Sequence, residues 1–467
     1  MNGYILLPLA AALVVNLPVP GVRRAAWHTA LIAACVQGIV AAAMLADRMR
    51  GVVLRGFPDG LSSVMLLTAG LVFVAGLLTA RACVSESNRQ SLLGSLALLG
   101  LAGINGIVLA TDLFTMYVYL EAAAVVFFVF IAFDRDSGGL EASFKYLLLS
   151  GVATVFLLTG IGILLLATGS TSFDGVSAAV SAGGRDRNIV LLAAACIVCG
   201  LLVKAGLMPF HGWLPDAYSA APSWASVLLA GIVTKTAGIY TLVRVSVAIF
   251  GAEKMAAEVF LVVGIVSVVA AAVAALGQRN LKRMLAYSSI SQVGYIVLGL
   301  AAGTPLGIAG AIVHIFNHAV FKSLLFVNAA ALEHQAGTCD IPSLAGRGRQ
   351  MPVTGATSVL AVLSAAGIPP LGGFWSKLLI VMALWSAGWH ALAVVAVGAS
   401  VLTLGYLLVF NRQVFFAVPK EPPPAMAETG ADILVPALIL AAVVVGVGLV
   451  FPLLPESFLL TLTEHAP

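Results

Sequence analysis

Six ionisable side chains stand inside long apolar runs of this 467-residue sequence. They are Glu121 in TDLFTMYVYLEAAAVVFFVF, Lys204 in LLVKAGLMPFHGWLP, Lys235 in LLAGIVTKTAGIY, His314 and His318 in HIFNHAVFKSLLF, and Lys377 in GGFWSKLLI. Burial favours the neutral form of a lysine, a neighbouring carboxylate favours the charged form, and a histidine titrates near neutrality. Each such group can change charge when its neighbour does. A row of them across a helical bundle is a proton relay, whereas a solute carrier would show one central binding site.

His314 and His318 are four residues apart and therefore share a helix face. That is also a zinc-ligand spacing, but no HExxH glutamate lies between them and no thiolate is near, so they read as a polar pair facing the bundle interior, with no metal. A lysine can also sit in a span because its stem snorkels to the interface. That alternative suits Lys322, suits Lys377 less, and fails for Lys235, about twelve residues into its span.

The elements that hold these residues must be membrane helices. The chain is 61% hydrophobic and 9% charged, with a mean hydropathy of +1.08, where soluble domains carry about 25% charged residues. About 20 apolar residues cross the ~30 Å hydrocarbon core as a helix. Fourteen such runs occur, at 3–19, 25–46, 62–80, 91–110, 113–133, 143–168, 189–209, 223–248, 257–277, 284–302, 305–331, 353–385, 390–416 and 432–453. The polar connections, the longest near 169–188 and 332–352, leave no room for a soluble domain. The fold expected is one all-α integral membrane domain over 1–467. The first run lacks a basic n-region, and Arg23 and Arg24 follow it, so it counts as a helix rather than a signal peptide.

Basic residues fall unevenly between the loops. Odd-numbered loops carry Arg23, Arg24, Arg81, Arg89, Arg135, Lys145, Arg279, Lys282, Arg283, Arg347, Arg349, Arg412 and Lys420; even-numbered loops carry Arg48, Arg50, Arg55, Arg185, Arg187, Arg244 and Lys254. Thirteen against seven puts the odd loops in the cytoplasm and both termini outside, in a plasma (inner) membrane. The five cysteines are scattered, with Cys196 and Cys199 packing inside one span; no four-thiolate cluster site and no phosphate loop occurs, which excludes an iron–sulfur centre and direct ATP drive. No cofactor is expected.

Two spans are broken. The seventh contains Pro209 beyond Lys204 and the twelfth contains Pro369 and Pro370 before Lys377. Proline frees backbone groups that lipid cannot satisfy, so the breaks must line a cavity or pack on protein. The two stretches also match: Ala205-Gly206, Pro209 and Trp213 parallel Ala366-Gly367, Pro370 and Trp375, about 161 residues on. Phe144-Lys145 parallels Phe321-Lys322 at 177, and Asp112-Leu113 through Tyr119 parallels Asn280-Leu281 through Tyr287 at 168. Three matches in one order suggest that helices 4–8 (91–248) are repeated as helices 9–13 (257–416), after helices 1–3 (1–83) and before helix 14 (432–453). A shift of five helices inverts the second repeat in the membrane.

The runs VKAGLMPFHGWLPDAYSAAP, VTKTAGIY, RNLKRMLAYSSISQVGY, HIFNHAVFKSLLF and AGIPPLGGFWSK, taken together over about residues 60–415, resemble the antiporter-like subunits shared by respiratory complex I (NADH-quinone oxidoreductase), Mrp-type Na+/H+ antiporters (the D-like subunit) and membrane-bound hydrogenases. The resemblance implies that Glu121 pairs with Lys204, within the chain or across a subunit boundary, and that Lys235, His314, His318 and Lys377 carry the proton onward. Lysine rather than glutamate at 377 argues against the glutamate-bearing complex I type, and the end of the chain at Pro467 argues against the member with a long lateral helix. His211 and Asp216, beyond the first break, read either as the point of proton uptake or as a helix-end polar cluster. The expected chain is a non-redox, proton-translocating subunit driven by redox chemistry elsewhere in its complex. The rival readings are an Mrp-type subunit exchanging Na+ and a non-conducting scaffold. Its expected partners are other membrane subunits, protons with or without Na+, and the lipid bilayer, with no nucleic acid. The basic loop RNLKRMLAYSS would meet a partner subunit or anionic headgroups.

Overall fold

The computed structural model describes residues 3–17, 22–50, 58–182, 187–250, 257–418, 426–454 and 458–459. The end of the first expected span at 18–19, and Arg55, Arg185, Lys254 and Lys420 of the loop count, lie outside the described residues. The helices are α1 (Gly3–Val15), α2 (Ala26–Met49), α3 (Gly60–Cys83), α4 (Ser87–Leu109), α5 (Leu113–Ile131), α6 (Ser137–Thr168), α7 (Phe173–Ser181), α8 (Arg187–Ala205), α9 (Trp213–Ala220) and α10 (Ser223–Leu228). The last of these continues through a π-helix, Leu229–Tyr240, into α11 (Thr241–Ala248). There follow α12 (Ala257–Leu276), α13 (Leu281–Ala301), α14 (Pro305–Ala336), α15 (Pro352–Ala366), α16 (Gly372–Ser386), α17 (His390–Asn411) and α18 (Ala431–Val450).

Twelve of these helical stretches are long and apolar enough to cross a membrane. The seventh expected span is α8 and the eighth is α10 through α11. The twelfth is the pair α15 and α16. Large apolar side chains such as Leu166, Val155, Val262 and Val394 are exposed around the outside, as a lipid-facing surface requires. Two elements differ from expectation. Only thirteen residues of the first span are helical, about 20 Å at 1.5 Å per residue. The 169–188 connection holds α7, a short helix that buries Phe173 and Val176.

The two halves correspond at a nearly constant offset. The Asp112 carboxylate caps α5 by accepting from Thr115 N–H, and the Asn280 side chain caps α13 by accepting from Arg283 N–H. Asp112 bridges to Ser172 and Asn280 to Asp340. Both α6 and α14 run for 32 residues and end on a left-handed glycine, Gly169 and Gly337. All these pairs are 168 apart. The Phe144-Lys145 match at 177 is therefore out of register by nine residues, a coincidence of two apolar runs.

Both breaks begin at glycine rather than at proline. Gly206 and Gly367 have φ of 65° and 82°, and the Leu207 and Ile368 N–H groups reach back to Leu202 and Leu363 carbonyls. This is the Schellman ending, in which a left-handed glycine closes the helix. The residues ahead of each proline, Met208 and Pro369, are biased away from helix. The freed backbone groups find partners: Met208 N–H donates to the Ser267 hydroxyl, and the Val203 carbonyl accepts from the Trp213 indole.

Helix α14 is the hub, enclosed by α3, α10, α13, the π-helix, α15, α16 and α18. The π-helix lies hard against the end of α8: a Cβ added to Gly238 would lie 2.4 Å from the Ala205 Cα. Gly238→Ala should therefore cost about 1–3 kcal/mol by overpacking. Gly398→Ala, at an α17 position with open space around it, should be neutral or stabilising by up to about 1 kcal/mol. Thermal unfolding of the two purified variants compares them directly.

Candidate functional site

The first cluster is built on α5, α6 and α8. Lys204 is the penultimate residue of α8, with its side chain 4% exposed, while the Glu121 side chain on α5 is 32% exposed. The Lys204 ammonium donates to Glu121 Oε1 at 2.9 Å and to the Ser150 hydroxyl at 3.1 Å. Thr154 Oγ1 donates to the same carboxylate oxygen at 2.8 Å. The pair thus forms within the chain, with the lysine inside and the carboxylate on the rim.

The second cluster is the interior row. Lys235 lies in the middle of the π-helix, fully buried, and its ammonium donates to the Ala230 carbonyl and to Thr234 Oγ1. A π-helix shifts side chains off the α-helical face and is common at functional sites; here it turns Lys235 toward the interior. His314 and His318 are fully buried on α14, with ring centroids 6.0 Å apart. His314 Nδ1 is 2.9 Å from the Ser376 hydroxyl of α16. Lys377, also on α16, donates to the Ala365 carbonyl at the second break and to Ser400, and sits 4.5 Å over the Tyr295 ring. The Tyr295 ring is in turn 6.0 Å from His314. Helix α14 packs against the π-helix, α13 and α16, which brings the residues of three separated segments to one interior row.

Lys322 belongs to this row and corrects the snorkelling reading. It is fully buried, with its ammonium on the Leu285 carbonyl of α13 at 3.1 Å. The reason is length: α14 continues to Ala336, so Lys322 lies fourteen residues from its end and faces packed helices. The spacing 314, 318, 322 was the signal available in the sequence. Sequence reasoning also missed Gln292 and Tyr295 on α13, both fully buried beside the histidines.

Several buried polar atoms in this region have no hydrogen-bond partner among the described residues: Nε2 of His314, both ring nitrogens of His318, both amide atoms of Gln292, Ser323 Oγ and Thr236 Oγ1. Native interiors rarely leave such groups unsatisfied, and buried water is their usual partner. Among the described residues, no carboxylate pairs with Lys235, Lys322 or Lys377.

His211 and Asp216 are not joined. The Asp216 carboxylate is held by Lys145 at 2.9 Å and Arg283 at 2.6 Å, whereas the His211 ring lies 6.1 Å from that of Tyr287. Burial pushes the Asp216 carboxyl up, but the hydrogen bonds and charges of Lys145 and Arg283 outweigh it and hold it below the usual carboxylate range.

Two basic residues assigned to loops point inward instead, because each meets a carboxylate at a helix end. Lys282 pairs with Glu333 at 3.1 Å, and Arg244 is bonded to Asp59, with Tyr240 and Ser62 completing that cluster. Setting both aside leaves twelve odd-loop against six even-loop basic residues, the same bias.

The fold and the row define a class: a polytopic membrane bundle with ionisable groups at its centre. The chain belongs to the NADH:quinone oxidoreductase/Mrp antiporter transmembrane family, whose model matches residues 110–403. It is 35% identical to NADH-quinone oxidoreductase subunit N of Desulforudis audaxviator, over 76% of this chain and 73% of that one. It is 32% identical to "NAD(P)H-quinone oxidoreductase chain 4 1" of Synechococcus sp., over 96% and 89%. Among solved structures, a chain of the Mrp complex from Dietzia sp. superposes with a TM-score of 0.88 at 25% identity, covering 99% of this chain and 96% of that one. A chain of respiratory complex I from Thermus thermophilus gives 0.78 at 26%, covering 96% and 98%. These structural relatives are parts of multisubunit membrane assemblies.

The Asp59–Arg244 pair generates a prediction. Burial pushes the Asp59 carboxyl up, but the charge and hydrogen bonds of Arg244 and the Ser62 N–H outweigh it and hold it below its ordinary value. A carboxyl depressed on folding contributes stability that is full above its unfolded value, about pH 3.9, and is lost as pH falls through the lower folded value. Asp59→Asn should cost about 3–5 kcal/mol near pH 7, by leaving a buried guanidinium without its charge partner. It should also flatten the melting profile below about pH 4, as melting in detergent over a pH series would show.

Proposed function

We propose that the chain is the proton-translocating, antiporter-like subunit of a complex I-like membrane assembly, and that Glu121, Lys204, Lys235, His314, His318, Lys322 and Lys377 carry the proton. The observation that carries this reading is the row itself: three buried lysines and two buried histidines with no carboxylate paired to them among the described residues. Unit charges in a low-dielectric interior interact strongly, so a charge arriving on one member raises the cost of a charge on the next. Charge therefore moves along the row rather than filling it.

The Glu121–Lys204 pair is the natural trigger. While closed, it holds the proton on Lys204; when Glu121 turns away from it, Lys204 is a buried cation without its anion, and its proton is favoured to move to Lys235. Gly238 against Ala205 keeps the π-helix at this junction. The breaks beside Lys204 and Lys377 supply polar backbone in the interior, and the unpartnered polar atoms between them are sites for a water chain. The driving reaction is assigned to redox subunits of the complex, by kinship with NADH-quinone oxidoreductase chains. The two halves act as inverted repeats, 91–248 and 257–416, with the odd-numbered loops cytoplasmic and both termini outside.

A second reading, Na+/H+ exchange in an Mrp-type assembly without redox chemistry, is favoured by the higher TM-score to the Mrp chain. Its mark would be transport that stops when Na+ is removed. For either complex, Lys235→Ala at normal assembly should abolish proton movement in inside-out vesicles. Proton movement at the wild-type rate would remove the row from the path.

A further inference from the structure

We propose that protons reach this row through a cavity of about 260 Å3 on the face carrying the odd-numbered loops, with Glu333 taking up the proton and Lys322 as the first fully buried group to receive it; the inference rests on the relay reading above. The cavity is bounded by Cys83, Asp134, Ser223, Lys282, Glu333 and His334, at or just beyond the ends of α3, α5, α10, α13 and α14. Its two polar sides differ. The Asp134 carboxylate is taken by Arg89 at 2.6 Å on the outer side. Glu333 instead faces both ways: its side chain is 33% exposed, yet it bonds the Ser223 hydroxyl and Lys282, whose side chain is 5% exposed. Lys282 also donates to the Ala221 carbonyl at 3.0 Å, which pins it at the junction of α9 and α10.

From there the path inward runs between α13 and α14. The Lys322 ammonium rests on the Leu285 carbonyl, three residues from Lys282 along α13, about 4.5 Å of helical rise. On α14, Lys322 precedes Glu333 by eleven residues, three turns along one face and about 16 Å of rise, with the buried Phe326 and the small Ala329 and Ala330 between them. His318 and His314 continue the same face at steps of four. Asp216, which with His211 reads in sequence either as an uptake point or as a helix-end polar cluster, is held by the two cations Lys145 and Arg283.

The step balances as a plain proton transfer. The Glu333 carboxylate takes a proton from water in the cavity and becomes a neutral carboxyl, which weakens its hold on Lys282. The carboxyl then returns to carboxylate as the proton passes, by Lys282 and a chain of waters along α13, to the neutral Lys322 amine. Lys322 hands it to His318.

The test uses the intact complex in inside-out vesicles, where this face is exposed if the odd loops are cytoplasmic. Glu333→Gln keeps the shape and can still bond Lys282 and Ser223, but cannot carry a proton. Transport should fall by about tenfold or more, and Glu333→Asp should restore it. If E333Q transports at the wild-type rate while K235A does not, the inlet is elsewhere and the relay stands; if both transport normally, the relay reading itself fails. A second measurement does not depend on the variant assembling. A membrane-impermeant maleimide on Cys83, which is exposed and lines the cavity, should slow transport in the wild type, with C83A as the control for other thiols. Complete labelling without slowing, or no labelling, overturns the proposal.

Discussion

Three lysines and two histidines enclosed in one helical bundle, with no carboxylate paired to them among the described residues, is the constraint on which the rest of the structure turns. Each polar atom must find a partner in protein or water, and each charge must be matched or mobile. The chain meets the first demand with backbone carbonyls. Ala230, Leu285 and Ala365 each receive one lysine ammonium, and none of these acceptors brings a compensating charge. Such an arrangement holds the amines in place while leaving their protonation free to change, which distinguishes it from a static salt bridge.

The backbone irregularities follow from the same need. Regular α-helix engages its carbonyls internally, so interrupting or widening a helix frees acceptors inside a membrane, even though Leu285 accepts from within the regular α13. The Schellman endings at Gly206 and Gly367 interrupt, and the π-helix at Leu229–Tyr240 widens. All three deviations lie within or beside the segments that carry Lys204, Lys235 and Lys377. The long, uninterrupted α14 does the opposite: it provides a rigid face on which His314, His318 and Lys322 are spaced by single turns. At its far end Glu333 borders a cavity, and at the rim of the bundle Glu121 meets Lys204, so the two carboxylates that pair with buried lysines stand at the margins of the row.

Much of this was legible in the sequence. Apolar run length located the spans, because hydrocarbon thickness fixes helix length. The proline pairs located the breaks, because lipid tolerates freed backbone only inside protein. The resemblance supplied the partner for Lys204. What was not legible is tertiary. Nothing in the periodicity of LAGIVTKTAGIY marks a π-helix, since a single added residue per turn leaves an all-apolar stretch looking the same. Lys282 and Arg244 looked like loop charges because their inward turn depends on Glu333 and Asp59, which are 51 and 185 residues away. Lys322 was misread because the end of α14 was placed five residues too early, although its spacing from His318 held the answer.

The central claim is that the enclosed row changes protonation during turnover. The direct measurement is infrared difference spectroscopy of the intact complex, with ring-labelled histidine, between resting and driven states, and with His314→Phe and His318→Phe to assign the bands. The account predicts imidazole bands that shift with label, appear only under drive and vanish in these variants. Driven proton transport with no isotope-sensitive band from either histidine would contradict it.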